Sequence, residues 1–470
     1  MNTLMPQRIA IASGVALLVA CASAPPRVPP DPAMTAQAFA ARRLDDLSPA
    51  LPAPSSGWNR AQWLNAALML NPQLAEERAR VTAVAAAERT AAQIRNPTLN
   101  LSGEYVTAAA GGAAWLYGLS LDFLLQRPGD RSRARRSATL QTQAAQSDLA
   151  ESIWQVRAAL HQALLDMSYS QDQTILLRKL CGDRESLLAS ARANADAGEV
   201  SGTEVLRAGL ELAGARQRLS QAQASGIDAQ SRLAAAVGVP AAVLDGIPSP
   251  WPQWTDIGAL SPTLPGSWRD EALVARPDLV RALREYDLAE NALRGELARR
   301  WPEFHLTPGY AWDRGGVQEN QFDQNLHDNE LGLSLELPLF NRNEGPIGEA
   351  VARRDLAGKH LEAVQAGLFG QIDRAEQAWP RARQAWQDTA AATLLAQQRS
   401  QAEQRALGVG ASDRPTALQA EVAAIEARLL TLQAAYEAQL AFAALEDAYR
   451  RPLQGPECDL PPSWRTEKTS

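Results

Sequence analysis

The stretch Leu331–Phe340 reads LGLSLELPLF. Leu331, Leu333, Leu335 and Leu337 take every second position, and Gly332, Ser334 and Glu336 fall between them. Period two with one apolar and one polar side specifies a strand whose two faces meet different surroundings. Most of the remaining chain is Ala-rich and reads as helix. An equivalent strand, GLSLDF, occupies Gly118–Phe123. A helical protein that carries one strand twice points to an internal duplication.

Other matches fall in the same order. Asn71-Pro72-Gln73-Leu74 corresponds to Arg276-Pro277-Asp278-Leu279, Pro97 to Pro302, and Tyr105 to Tyr310. Farther on, Gly198 corresponds to Gly410, Leu206 to Leu418, and Pro240 to Pro452. Two repeats, 58–245 and 267–455, therefore share one plan, joined by a Pro/Trp-rich linker at 246–266. Each opens with a predicted helix, at 61–95 and 270–300, closed by Pro97 or Pro302. Two strands follow, then a very long helix at 131–195 and 348–407. A break at Gly198 or Gly408/Gly410 leads to a return helix at 202–237 and 415–450. About 65 helical residues extend roughly 100 Å, which suits a coiled coil or helical barrel rather than a globular core. Ser201 and Glu204 have capping-box spacing, Ser412 and Asp413 can cap, and Pro415 suits a first turn. Leu206, Leu210, Leu212 and Leu219 supply an apolar face, and Pro380 predicts a kink in the second long helix.

Four strand patterns line up. Leu99, Leu101, Gly103 and Tyr105 alternate with Asn100 and Ser102; Trp115, Tyr117, Leu119, Leu121 and Phe123 alternate with Ser120 and Asp122. Phe304, Leu306, Pro308, Tyr310 and Trp312 alternate with His305 and Thr307, and the opening stretch supplies the fourth. This fits a half-buried soluble sheet. It also fits a membrane barrel with apolar residues toward lipid and polar ones toward water. Tyr105, Trp115, Tyr117, Tyr310 and Trp312 cluster near the polar loops 107–114 and 314–328, as an interfacial aromatic girdle does. Four strands cannot close a channel-sized barrel, and open edges are forbidden in lipid. A membrane barrel must then be shared between subunits.

At the N-terminus, Arg8 precedes a short apolar run, Ile9–Val19, of the secretory-signal type. It ends in Leu18-Val19-Ala20-Cys21, which resembles a lipobox: residues 1–20 would be removed and Cys21 acylated. Ala22, rather than Asp, favours delivery to the outer membrane. Residues 21–57 read as a lipidated tether, Pro-rich at its start, and 456–470 as a tail. The sequence leaves open whether Cys181 and Cys458 pair. A net charge of −7 without a basic, aromatic-interleaved stripe argues against nucleic-acid binding. No phosphate loop, nucleophile elbow or paired metal-ligand histidines mark an enzyme or a metal site. Asp323, His327 and Asp328 share one loop and read as solvated.

The duplicated helix, strand pair and helical hairpin behind a lipobox resembles the TolC-like outer-membrane efflux family. Asn71–Leu74, Arg276–Leu279, Asn96-Pro97-Thr98-Leu99, Gly332–Phe340 with Asn341-Arg342-Asn343, and Gly198/Gly410 carry the likeness over 58–455. The spacing is nearest to the heavy-metal-type members. The resemblance implies a mainly α fold with a small β part. Duplicated long helical hairpins would form a trimeric α-barrel, and four strands per chain would contribute to a shared twelve-stranded membrane β-barrel. It implies a homotrimer set in outer-membrane lipid, working with a periplasmic adaptor and an inner-membrane pump, and conduction without catalysis or cofactor beyond the lipid on Cys21. Gly198, Glu199, Val200 and Ser201, with Val409, Gly410, Ala411 and Ser412, would be the adaptor-contacting tips. Their glycines also suit simple turns. Asn100, Ser120, Asp122, Ser334 and Glu336 would line the lumen. Asp196 and Asp413 are candidates for acid rings near the tips, or plain solvated and capping carboxylates. The alternative is a structural periplasmic coiled-coil lipoprotein without channel activity.

Overall fold

The computed structural model describes residues 29–47, 57–108, 112–245, 247, 251–262, 264–314, 327–337 and 339–460. Cys21 and most of the loop that holds Asp323 lie outside them. Helix α1 spans Pro32–Ala40, and a short 3₁₀ turn follows at Leu44–Leu47. The first repeat runs α2 (Arg60–Leu70), α3 (Pro72–Ala91), β1 (Thr98–Ala108), β2 (Gly112–Leu125), α4 (Asp130–Asp196) and α5 (Gly202–Val237). The second repeats it as α6 (Gly266–Ala275), α7 (Pro277–Ala298), β3 (Phe304–Arg314), β4 (His327–Leu335), α8 (Glu344–Gly408) and α9 (Arg414–Tyr449).

Where the sequence predicts one helix before each strand pair, the structure has two. The break is Asn71-Pro72 in one repeat and Arg276-Pro277 in the other. A proline has no N–H and holds its predecessor in extended backbone, so Asn71 and Arg276 end one helix and Pro72 and Pro277 start the next. Asn71 Oδ1 accepts from the N–H groups of Gln73 and Leu74 at 2.9 and 3.2 Å. Its Nδ2 donates to the Ala236 carbonyl at 2.8 Å, gripping the end of α5. Arg276 does the matching task by another chemistry: its Nη1 donates to the Ala448 carbonyl at 2.8 Å, at the end of α9. Both helices also stop at Ala91 and Ala298, well short of Pro97 and Pro302.

Helix α4 has 67 residues and α8 has 65, about 100 Å each at 1.5 Å per residue. Pro380 lies inside α8, which runs on past it. Near the strands the helices pack in the order α3–α4–α7–α8; toward the far end the return helices replace their partners and the order becomes α5–α4–α9–α8. The chain is thus one four-helix-wide wall, with α4 and α8 spanning both levels. Three apolar clusters hold it. The first gathers Trp63, Leu74, Ile153, Trp154 and Leu233; the second Leu165, Trp254, Ile372, Trp379 and Phe442. The third joins Leu177, Leu180, Val422 and Ile425 near the far end.

Leu44 and Leu47 bury in the first cluster, and Arg42 Nη1 donates to the carbonyls of Leu70 and Gly238 at 3.0 and 2.8 Å. The part of the tether next to the body is therefore clipped onto it. Cys181 is buried in α4, Cys458 lies exposed after α9 with its Sγ–H donating to the Pro452 carbonyl at 3.7 Å, and the two form no disulfide.

Candidate functional site

The strands form one antiparallel sheet in the order β1-β2-β3-β4. Its register puts Leu99 opposite Leu121, Leu119 opposite Tyr310, and Leu306 opposite Leu333. The same register puts Asn100 opposite Ser120, Thr98 opposite Asp122, and His305 opposite Ser334. Since neighbouring strands share faces, one side of the sheet is mainly apolar and the other mainly polar. Leu101, Leu331 and Leu333 are 74, 75 and 66 % exposed, so none of the described residues covers the apolar face. Tyr117 and Trp312 stack on that face with ring centroids 5.8 Å apart.

Four of the five predicted lumen residues, Asn100, Ser120, Asp122 and Ser334, lie together on the polar face. Glu336 follows just beyond β4 and keeps the ladder going, its N–H donating to the Glu303 carbonyl at 3.4 Å. Asp122 meets His305, with Nδ1 3.0 Å from its Oδ1. The outer edges of β1 and β4 have no partner strand among the described residues.

At the other end of the wall the two hairpin turns are superposable in chemistry. Gly198 and Gly410 take φ of 78° and 74°, in the left-handed region glycine favours. Glu199 N–H donates to the Asn194 carbonyl, and Ala411 N–H to the Ala406 carbonyl, both at 2.8 Å. These six-residue closures are the Schellman ends that let a helix turn back tightly. Val409 stands 81 % exposed at one tip; on the first hairpin, Leu206 and Leu210 are 70 and 74 % exposed. Of the predicted apolar face on α5, only its Leu212 is fully buried. Val200 is half-buried, and Glu199 and Ala411 are exposed.

The capping expectations divide. Ser201 stands at the N-cap of α5 without a side-chain cap bond; its hydroxyl pairs with Thr203 at 2.6 Å, and Glu204 pairs with Arg207 instead of reaching back. Asp413 does cap α9, accepting from Thr416 N–H at 2.7 Å. The Thr416 hydroxyl and N–H hold its carboxyl below the usual carboxylate range. Ser412 donates instead to Glu403 at 2.9 Å. Asp196, the last residue of α4, is exposed.

A buried charge cluster went unread in the sequence. Arg157 of α4, 1 % exposed, donates through Nε to Glu457 at 2.7 Å and through Nη2 to Glu446 at 2.5 Å. Burial alone would lower the guanidinium pKa, but the two carboxylates outweigh it and raise it. One turn on, His161 packs edge-on against Trp251 and neither ring nitrogen has a hydrogen-bond partner. The helical spacing of Ile153, Val156, Leu160 and Leu164 puts Arg157 and His161 on their buried face, a signal of burial though not of partner. Among the described residues no cluster of His, Cys, Asp or Glu is placed to hold a metal ion, and no helix is long and apolar enough to cross a membrane.

The chain's fold has close counterparts among solved structures. VceC of Vibrio cholerae aligns with a TM-score of 0.66 at 18 % identity, covering 84 % of this chain and 97 % of its own. The open-state MtrE channel of Neisseria gonorrhoeae aligns at 0.67 and 18 %, covering 84 and 90 %. The CmeC channel of Campylobacter jejuni aligns at 0.65 and 14 %, covering 91 and 93 %. No curated protein sequence matches the chain. The sequence profile described as outer membrane efflux protein matches residues 63–239 and 268–449, most of both repeats. The chain therefore belongs to the outer membrane efflux protein family, a family of outer-membrane channels and not of enzymes.

Proposed function

We propose that three copies of this chain assemble into the exit duct of a tripartite efflux pump. The observation that carries this is the sheet: among the described residues one face is apolar and uncovered, the other is polar, and both edges lack a partner strand, and the sheet runs directly into a wall about 100 Å long. Open edges do not survive in hydrocarbon. Joining β4 of one copy to β1 of the next satisfies every edge and closes twelve strands. It puts Leu101 and Leu333 in lipid and Asn100, Ser120, Asp122 and Ser334 around a wet lumen. The helical walls then continue the lumen through the periplasm. Small molecules or metal ions delivered by an inner-membrane pump and a periplasmic adaptor pass outward without catalysis. The exposed Val409, Leu206 and Leu210 offer apolar surface at the hairpin end for that adaptor. Acylation of Cys21 adds a lipid anchor.

Planar bilayers test the reading. The purified protein, with its tips opened by substitution of Asp196 and Asp413, is expected to give unitary currents of one uniform size. A correctly folded, membrane-inserted protein that carries no current overturns the duct.

A further inference from the structure

The strand-to-helix junction holds a cavity of about 810 Å³ between the end of α3, the start of α4 and the end of α7. Five arginines line it: Arg95, Arg127, Arg131, Arg133 and Arg299. Three are neutralised locally. Arg127 pairs with Glu303 at 3.2 Å, Arg133 with Asp130, and Arg299 with Glu296 at 2.7 Å. Arg95 makes no ion pair or hydrogen bond among the described residues. Arg131 uses only its Nε, which donates to the Ala92 carbonyl at 2.8 Å. Two guanidiniums thus face the cavity without a carboxylate.

Two further features point to a ligand. Helix α4 starts here behind Gly129, which has no side chain to satisfy the first-turn N–H groups, so an uncapped helix end opens beside the cavity. Asn291, 6 % exposed, also lines it. Its Nδ2 donates to the Arg133 carbonyl at 3.0 Å, which fixes the amide orientation, and its Oδ1 is buried with no partner. The site therefore offers positive charge and N–H donors together with one buried acceptor. Sulfate has no proton to give that acceptor. Hydrogen phosphate, and a phosphate monoester in its monoanionic form, have both the charge and a P–OH donor.

The cavity opens on the polar side of the wall. Leu124 follows Ser120 and Asp122 along β2 at period two, and Glu303 precedes His305 in the same way; both line the cavity. We infer that this basin is a phosphate-recognising site in the duct wall, holding phosphate-bearing solutes at the foot of the barrel. This rests on the duct reading above for which side is the lumen.

Calorimetry on the full chain in detergent tests it with inorganic phosphate as probe, sulfate as comparator, and ionic strength held constant. Phosphate is expected to bind one site per chain, with sulfate about tenfold weaker or more for want of the hydrogen bond to Asn291. Arg95→Gln removes no ion pair or hydrogen bond among the described residues and is expected to weaken phosphate about tenfold; Arg95→Gln with Arg131→Gln is expected to abolish it. No phosphate heat, equal sulfate binding, or an unchanged double variant each overturns the site. A second arm repeats the titration in phosphatidylglycerol and phosphatidylcholine nanodiscs. Equal affinities support a lumenal solute site, whereas loss of phosphate binding only with phosphatidylglycerol assigns the basin to lipid headgroups and overturns the proposal. Absence of phosphate heat in a protein that conducts leaves the duct standing; phosphate heat in one that does not conduct removes the duct alone.

Discussion

Arg157 and His161 sit one helical turn apart, and burial treats them oppositely. Arg157 is charged and held by two carboxylates, so its removal strands two acids in the core. Arg157→Ala is expected to cost about 3–5 kcal/mol, as breaking buried ion pairs does, measured by denaturant unfolding of the solubilised protein. His161 has no such support. Burial, then the nearby Arg60 and Arg157, pushes its imidazole well below the ordinary histidine value, although Glu446 lies 3.9 Å from Nδ1. Glu446 is already engaged by Arg157 and does not rescue the charge. The native ring is neutral while the unfolded one titrates near pH 6.5, so the unfolded state takes up the proton first. Stability is full above about pH 6.5 and falls as pH drops below it. His161→Phe is expected to flatten that acid slope in unfolding measurements between pH 5 and 8. An unchanged slope would overturn this assignment, and Asp447 cannot stand in for it: burial raises its carboxyl, so the folded state binds that proton more readily and gains stability as pH falls.

At the scale of elements, the glycines that end helices are not equivalent. Gly198 and Gly410 take left-handed backbone in open space. Gly238, at the C-terminus of α5, has φ of 90°, and an added Cβ would meet the Leu70 carbonyl oxygen at 2.5 Å and Asn71 Cα at 2.9 Å. Gly198→Ala and Gly410→Ala are expected to cost about 1–2 kcal/mol each, the strain of left-handed backbone alone. Gly238→Ala adds overpacking against backbone that cannot yield, and is expected to cost about 3 kcal/mol or more. Thermal unfolding of the three variants ranks them. The same joint shows what the sequence left legible. The strands announced themselves by period two and the long helices by unbroken Ala-rich runs, and both appear where expected. The Asn71-Pro72 break did not, because helical pattern continues on both sides and the two residues that matter act through Ala236, 165 positions away. Arg157 was equally opaque: its partners lie 289 and 300 positions on, and no local pattern encodes such pairing.

The whole molecule is decided by what covers the uncovered face. Leu333 and Ser334 are neighbours in β4 but point to opposite sides of the sheet, and their partners Leu306 and His305 do the same. A charge on a lipid-facing barrel residue costs about 2–4 kcal/mol near the bilayer midplane, whereas a charge in a wet lumen stays hydrated. Leu333→Arg is therefore expected to impair insertion and assembly, read as loss of cross-linkable trimer in outer-membrane fractions. Ser334→Arg should insert normally. It adds one positive charge per copy beside His305, a ring of three around the proposed lumen, so its single-channel current should fall and its reversal potential shift toward anions. A soluble sheet predicts a different pair of results. If the apolar face were covered by another protein in water, Leu333→Arg would disrupt that complex yet leave the protein extractable without detergent, and Ser334→Arg would alter no current. The contrast between adjacent residues matters more than either variant alone, because misfolding would damage both alike. Only a wall with lipid on one side and water on the other separates them.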